Sequence, residues 1–110
     1  MGGRKILMNK TEKEVFKRAI ERYGINDQTQ VACEECSELI KALIKYHRVT
    51  KYQDHDKRKI QRCLNNIIEE IADVGIMLDQ IKLMYGIAEK DVNAIREEKV
   101  ARLNNALPED

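Results

Sequence analysis

Glu35 and Glu38 stand three residues apart, and so do Glu70 and Asp73. On a helix this spacing puts both members of a pair on one face, with Cβ atoms about 5–6 Å apart. Facing helices would then bring four carboxylates to one point. Four buried carboxylates cannot stand together uncompensated, because burying an isolated charge is very costly. Lysine or arginine partners, bound protons or a divalent metal must offset them. Ligation by oxygen alone suits hard cations, chiefly Mg²⁺ or Mn²⁺. A di-iron bundle would instead carry E-x-x-H pairs. Neither pair here ends in histidine, and His47 and His55 fall in a stretch without period.

The elements that must position these pairs read as helices. The first is expected from about Glu12 to Tyr23, with Thr11 as N-cap, Glu14 completing a capping box and Gly24 as its stop. The second is expected from Asn26 or Asp27 to about Tyr46. Along it Ala32, Cys36, Leu39 and Leu43 form an apolar stripe, and Val31, Glu35, Glu38 and Ala42 form the stripe beside it. Residues 47–56 read as a connection, with Asp54 or Asp56 available to cap the next helix. The third helix is expected from Lys57 to Met84 or Tyr85. Its 3-4 apolar repeat runs through Ile60, Leu64, Ile67, Ile71, Val74, Leu78, Ile81 and Tyr85. The neighbouring stripe, from Cys63 to Met84, is acidic in its middle at Glu70 and Asp73. Gly86 ends this helix, and a last one spans about Glu89 to Leu107 with Val92, Ile95, Val100, Leu103 and Leu107 as its apolar positions.

The expected fold is therefore all-α, an antiparallel bundle of about four helices. A single domain would cover residues 11–107, after a flexible lead-in over residues 1–10. A chain of 110 residues buries only a modest core, so oligomerisation is expected as well. One proline and five glycines leave long helices uninterrupted. The net charge of +1 lacks the dense basic face of a general nucleic-acid binder. No apolar run of about 18 residues predicts a membrane span, and no secretory signal core is visible. The expected compartment is the cytoplasm. Three cysteines, an odd number, predict free thiols, with buried packing as the expected role of Cys33, Cys36 and Cys63. A zinc site drawing on them and on His47 or His55 is the weaker reading, since no second C-x-x-C or C-x-x-H exists. Met77 and Met84 are expected in the core.

The segment Glu34-Glu35-Cys36-Ser37-Glu38-Leu39, followed by Glu69-Glu70-Ile71-Ala72-Asp73-Val74, resembles the E-x-x-E … E-x-x-D signature of the MazG-like, all-α nucleoside triphosphate pyrophosphohydrolases. That superfamily includes MazG, the dimeric dUTPases and the dCTP pyrophosphatases. The resemblance covers roughly residues 27–105. It implies that Glu35, Glu38, Glu70 and Asp73 hold Mg²⁺. It also implies cleavage of a nucleoside triphosphate between the α and β phosphates, giving a monophosphate and pyrophosphate. The implied assembly is a homodimer or homotetramer, with sites completed near subunit contacts. Glu34 would act as base for the attacking water or, like Glu69, support the ligands. Lys99 and Arg102 would hold the β and γ phosphates. The 31 residues between Glu38 and Glu70 are many for this signature, and the last helix matches the family's basic-and-asparagine pattern only loosely, at Lys99, Arg102 and Asn104.

The chemistry is coherent with these residues. An acidic site alone repels a triphosphate, and bound Mg²⁺ inverts that local field. No G-x-x-x-x-G-K-[ST] loop exists, which excludes a Walker-type site. The alternative, motivated by the apolar seam of the third helix, is a non-catalytic helical module for interaction or regulation.

Overall fold

Asn9 opens the first helix, α1 (Lys10–Tyr23). Its Oδ1 accepts from the Glu12 N–H at 2.8 Å, and its own N–H donates to Glu12 Oε1 at 2.8 Å. This reciprocal box replaces the expected one of Thr11 and Glu14, because asparagine with glutamate at the third position satisfies two otherwise unpaired donors two residues earlier. Such a cap stabilises by about 1 kcal/mol. Gly24 closes α1 with φ 88, a backbone state costly for other residues, and α2 (Ile25–Tyr52) follows at once.

The computed structural model describes residues 8–52 and 56–109. The lead-in expected over residues 1–10 is described only at its end, and Asp54 and His55 also lie outside the described residues. α2 runs through residues 47–52, where a connection was expected. Val49 explains the extension. It is 3% exposed and continues the buried face one turn beyond Tyr46. Asp56 caps α3 (Lys57–Tyr85) by accepting from the Arg58 N–H at 2.9 Å, and Gly86 ends α3 in the left-handed region. α4 (Glu89–Ala106) completes four helices, with no strand among the described residues. No described helix is long and apolar enough to cross a membrane.

α2 and α3 pack along their length and α1 packs against both, with Phe16 buried. The α2–α3 pair is antiparallel, since Gln28 bonds Gln80, Thr29 bonds Tyr85, and Glu35 meets Asp73. α4 packs against none of the other helices along its length. Its first turn is tied down where Lys82 Nζ meets Glu89 Oε2 at 2.9 Å.

The buried faces differ from the expected ones. α3 buries Cys63, Met77 and Gln80 and half-buries Glu70, Asp73 and Met84, so its acidic stripe faces the core. The longer apolar stripe turns partly outward, leaving Leu64, Ile71 and Leu78 exposed. On α2 the same rotation buries Gln28 and Ala32, half-buries Glu35 and Leu39, and exposes Cys36, Ile40, Leu43 and Ile44. Both helices are thus apolar over a wider arc than one neighbour can cover. The outward arc lies in the same rotational sense from the contact line on each helix. In an antiparallel pair those arcs fall on one side of the hairpin. The radius of gyration is 17.5 Å, against about 13 Å for a compact chain of this length.

Candidate metal centre

Glu35 from α2 and Glu70 and Asp73 from successive turns of α3 converge between the two helices. One carboxylate oxygen from each lies within 4.8 Å of the other two. All three residues are half-buried. Asp73 lies against Glu35 across the α2–α3 contact and raises its pKa. Glu70 Oε2 is buried and has no hydrogen-bond partner among the described residues.

Desolvation is the main influence on this cluster. It raises Glu35 above its ordinary value of 4.5, helped by the adjoining Asp73 and then by the charges of Glu70 and Glu38. Glu70 is raised by the same desolvation and by the charges of Asp73, Glu38 and Glu69. Every group acting on these two carboxyls is another carboxyl or the loss of water. Of the three compensations open from sequence, a lysine or arginine partner is not the one used here. Protons or a hard cation remain, and three converging oxygen donors with one orphaned, buried oxygen fit Mg²⁺ or Mn²⁺.

A stability consequence follows. Groups whose folded pKa is raised favour folding fully below about 4.5, and that contribution is lost as pH rises through the folded value. The metal-free protein is therefore expected to melt at a higher temperature in mildly acidic buffer than at neutrality. The gain should shrink in Glu35→Gln and Glu70→Gln. Thermal melts with chelator across that range check both.

Glu38 stands one turn beyond Glu35 and outside the triad. It is exposed and pairs with Lys41 Nζ at 3.3 Å. An exposed pair of this kind is worth little, so a cation could draw Glu38 away at small cost. Glu34 is exposed and lines a cavity of about 430 Å³ with Tyr23, Asp27, Gln28, Gln30 and Val31. Lys99 and Arg102 sit exposed on α4, where Lys99 borders a hollow of about 360 Å³ among Val92, Ile95 and Leu103. The single chain does not bring α4 onto the acidic groove. Cys33 and Cys36 are exposed, contrary to expectation, because they lie on the outward side of α2; Cys63 alone is buried. Among the described residues, the acidic triad is the one group of three or more metal-ligating side chains, and no cysteine or histidine joins it.

The burial and pairing of Gln28 with Gln80 were not expected from the sequence. The two residues are 7% and 5% exposed, and the Gln28 side-chain N–H donates to Gln80 Oε1 at 2.7 Å. A signal was present. Gln28 lies seven residues before Glu35 and Gln80 seven after Asp73, two turns along the same stripes. No family model, curated protein or solved structure matches the chain.

Proposed function

We propose that this chain is a Mg²⁺-dependent nucleoside triphosphate pyrophosphohydrolase that cleaves between the α and β phosphates. The observation that carries the reading is the convergence of Glu35, Glu70 and Asp73 around a buried oxygen with no partner. These three residues would hold the cation, with Glu38 drawn in from its pairing with Lys41. Bound there, Mg²⁺ supplies charge neutralisation and a template for phosphate oxygens. Glu34, adjacent to the first ligand, serves as base for the attacking water. Displacement at phosphorus needs mainly positioning and charge stabilisation, which this rigid pair of helices provides.

The reading includes a homodimer or homotetramer. The apolar arc on one side of the α2–α3 hairpin and the apolar stripe of α4 both lack a partner among the described residues, and an isolated helix of this length is marginal in water. Assembly gives each a cover. It would also supply Lys99 and Arg102 to the acidic groove of another copy, as phosphate ligands the single chain does not deliver. Such an enzyme suits housekeeping of the cytoplasmic nucleotide pool.

Pyrophosphate release from a panel of ribo- and deoxyribonucleoside triphosphates, with Mg²⁺ and with EDTA, tests the reading. Metal-dependent release from one or more is expected. Protein that binds Mg²⁺ yet releases nothing from the whole panel would sink it. The same uncovered apolar faces would then favour a non-catalytic interaction module.

A further inference from the structure

Gln28 and Gln80 are buried in a small core, where an amide is costly unless its hydrogen bonds are met. They meet each other. The Gln28 side-chain N–H donates to Gln80 Oε1 at 2.7 Å, across the α2–α3 contact. The Thr29 and Tyr85 hydroxyls join at 2.7 Å at the same end of the hairpin. On the other side of the triad the buried side chains are apolar, with Val49 on α2 and Cys63 and Ile67 on α3. Apolar contacts are non-directional and tolerate a slip of one helix along the other. A hydrogen bond is directional and holds its length within about half an ångström.

The triad is sensitive to that slip. Gln28 stands seven residues before Glu35 and Gln80 seven after Asp73. The amide pair therefore repeats the Glu35–Asp73 contact two helical turns, about 10 Å, along the hairpin. Both helices are continuous over that stretch and carry no proline. An axial displacement at the amides is carried almost whole to the carboxylates, where three oxygens lie within 4.8 Å of one another. Mg²⁺ demands oxygens at about 2.0–2.1 Å in near-ideal octahedral geometry, whereas Ca²⁺ accepts about 2.3–2.6 Å and a looser arrangement. A slip of about half an ångström costs the first ion far more than the second.

Resting on the metal centre of the proposed function, we infer that the Gln28–Gln80 bond, seconded by Thr29–Tyr85, fixes the register of α2 on α3 and thereby tilts the centre toward Mg²⁺ relative to Ca²⁺. The two glutamines are positioning residues, two turns from the triad and outside it. A directional polar pair in an apolar helix interface sets register at a cost in stability. That role accounts for two amides in a core that apolar side chains could fill.

Calorimetric titration of Mg²⁺ and of Ca²⁺ into the metal-free full chain tests this, with the ratio of the two affinities as the readout. Gln28→Leu combined with Gln80→Leu replaces both partners by apolar groups of similar size, a change that is nearly neutral for stability. It is expected to lower Mg²⁺ affinity by about tenfold or more while Ca²⁺ affinity holds within about twofold. Gln80→Glu keeps the length and the acceptor for Gln28. Its added charge acts on both ions alike, so the wild-type ratio is expected to survive. A ratio unchanged in the double variant, or lost equally in Gln80→Glu, overturns the inference. A wild type that binds neither ion overturns it together with the metal centre. Should the leucine variant fail to fold, Thr29→Val with Tyr85→Phe, at the exposed bond, decides. A fallen ratio there upholds the lock and an unchanged one overturns it. Pyrophosphate release enters none of these readouts. A chain that cleaves triphosphates with an unchanged ratio loses the lock alone, and one whose ratio collapses as expected but which cleaves nothing loses the reaction alone.

Discussion

Asp73→Ala is expected to abolish both divalent-metal binding and pyrophosphate release. Asp73 is the residue on which the cluster turns. It lies against Glu35, its charge acts on Glu35 and Glu70, and it shares the narrow space where three oxygens meet. Losing even an outer partner of a metal ligand typically lowers affinity or activity by about 10–100-fold. Loss of a direct ligand should exceed that range, and turnover should fall to background. The same change has an opposite effect on the metal-free fold. Removing one carboxylate relieves repulsion and frees Glu35 and Glu70 to ionise with less penalty, so the chelated variant should melt no lower than the chelated wild type. Added Mg²⁺ should raise the melting temperature of the wild type alone, since a ligand that binds only the native state stabilises it. Calorimetric Mg²⁺ titration, melts with and without EDTA, and the release assay together separate a functional cluster from an incidental one. A variant that folds, binds metal as tightly as wild type and still turns over would remove the metal centre from the account.

The second large effect is expected at the uncovered arc of α3. Ile68 and Ile71 are 59% and 58% exposed in the single chain. Covering an isoleucine fully is worth roughly 1.5–3 kcal/mol, and placing aspartate there adds the cost of burying a charge. Ile68→Asp combined with Ile71→Asp is therefore expected to weaken association by more than about a hundredfold and yield monomers in sedimentation velocity. Helical content should drop as α4 loses its cover, because none of the other described helices packs along it. Activity should fall with assembly, although neither substitution touches the carboxylates. A wild-type chain that sediments as a monomer at working concentration would refute the oligomeric part of the proposal directly.

The helices were legible for specific physical reasons. The long period from Ile60 to Tyr85, the glycine at 86 and the aspartate at 56 set α3 and its ends to within a residue, and the glycine at 24 set the end of α1. Two boundaries were misplaced. Asn9 with Glu12 forms the reciprocal cap that Thr11 with Glu14 also offered at the same spacing, so α1 begins two residues earlier. Residues 47–52 hid their helicity because one buried valine among charged neighbours makes no visible period. The pairing of Glu35 with Glu70 and Asp73 was legible from helical spacing, and the tilt of that pairing was not. Periodicity reports that a helix has an apolar face. It does not say which part of a wide face meets the chain's own neighbour and which part is left for something else. Leu64, Ile71 and Leu78 looked like core for that reason, although the structure leaves them exposed.

Loss of water around the triad holds the Glu35 and Glu70 carboxyls above the ordinary carboxylate range. A cation entering the same space would compete with protons for them. Metal uptake is then an exchange, with measured heats that vary with the buffer that receives the proton. Acidification and scarcity of free metal would act on this protein as one and the same signal.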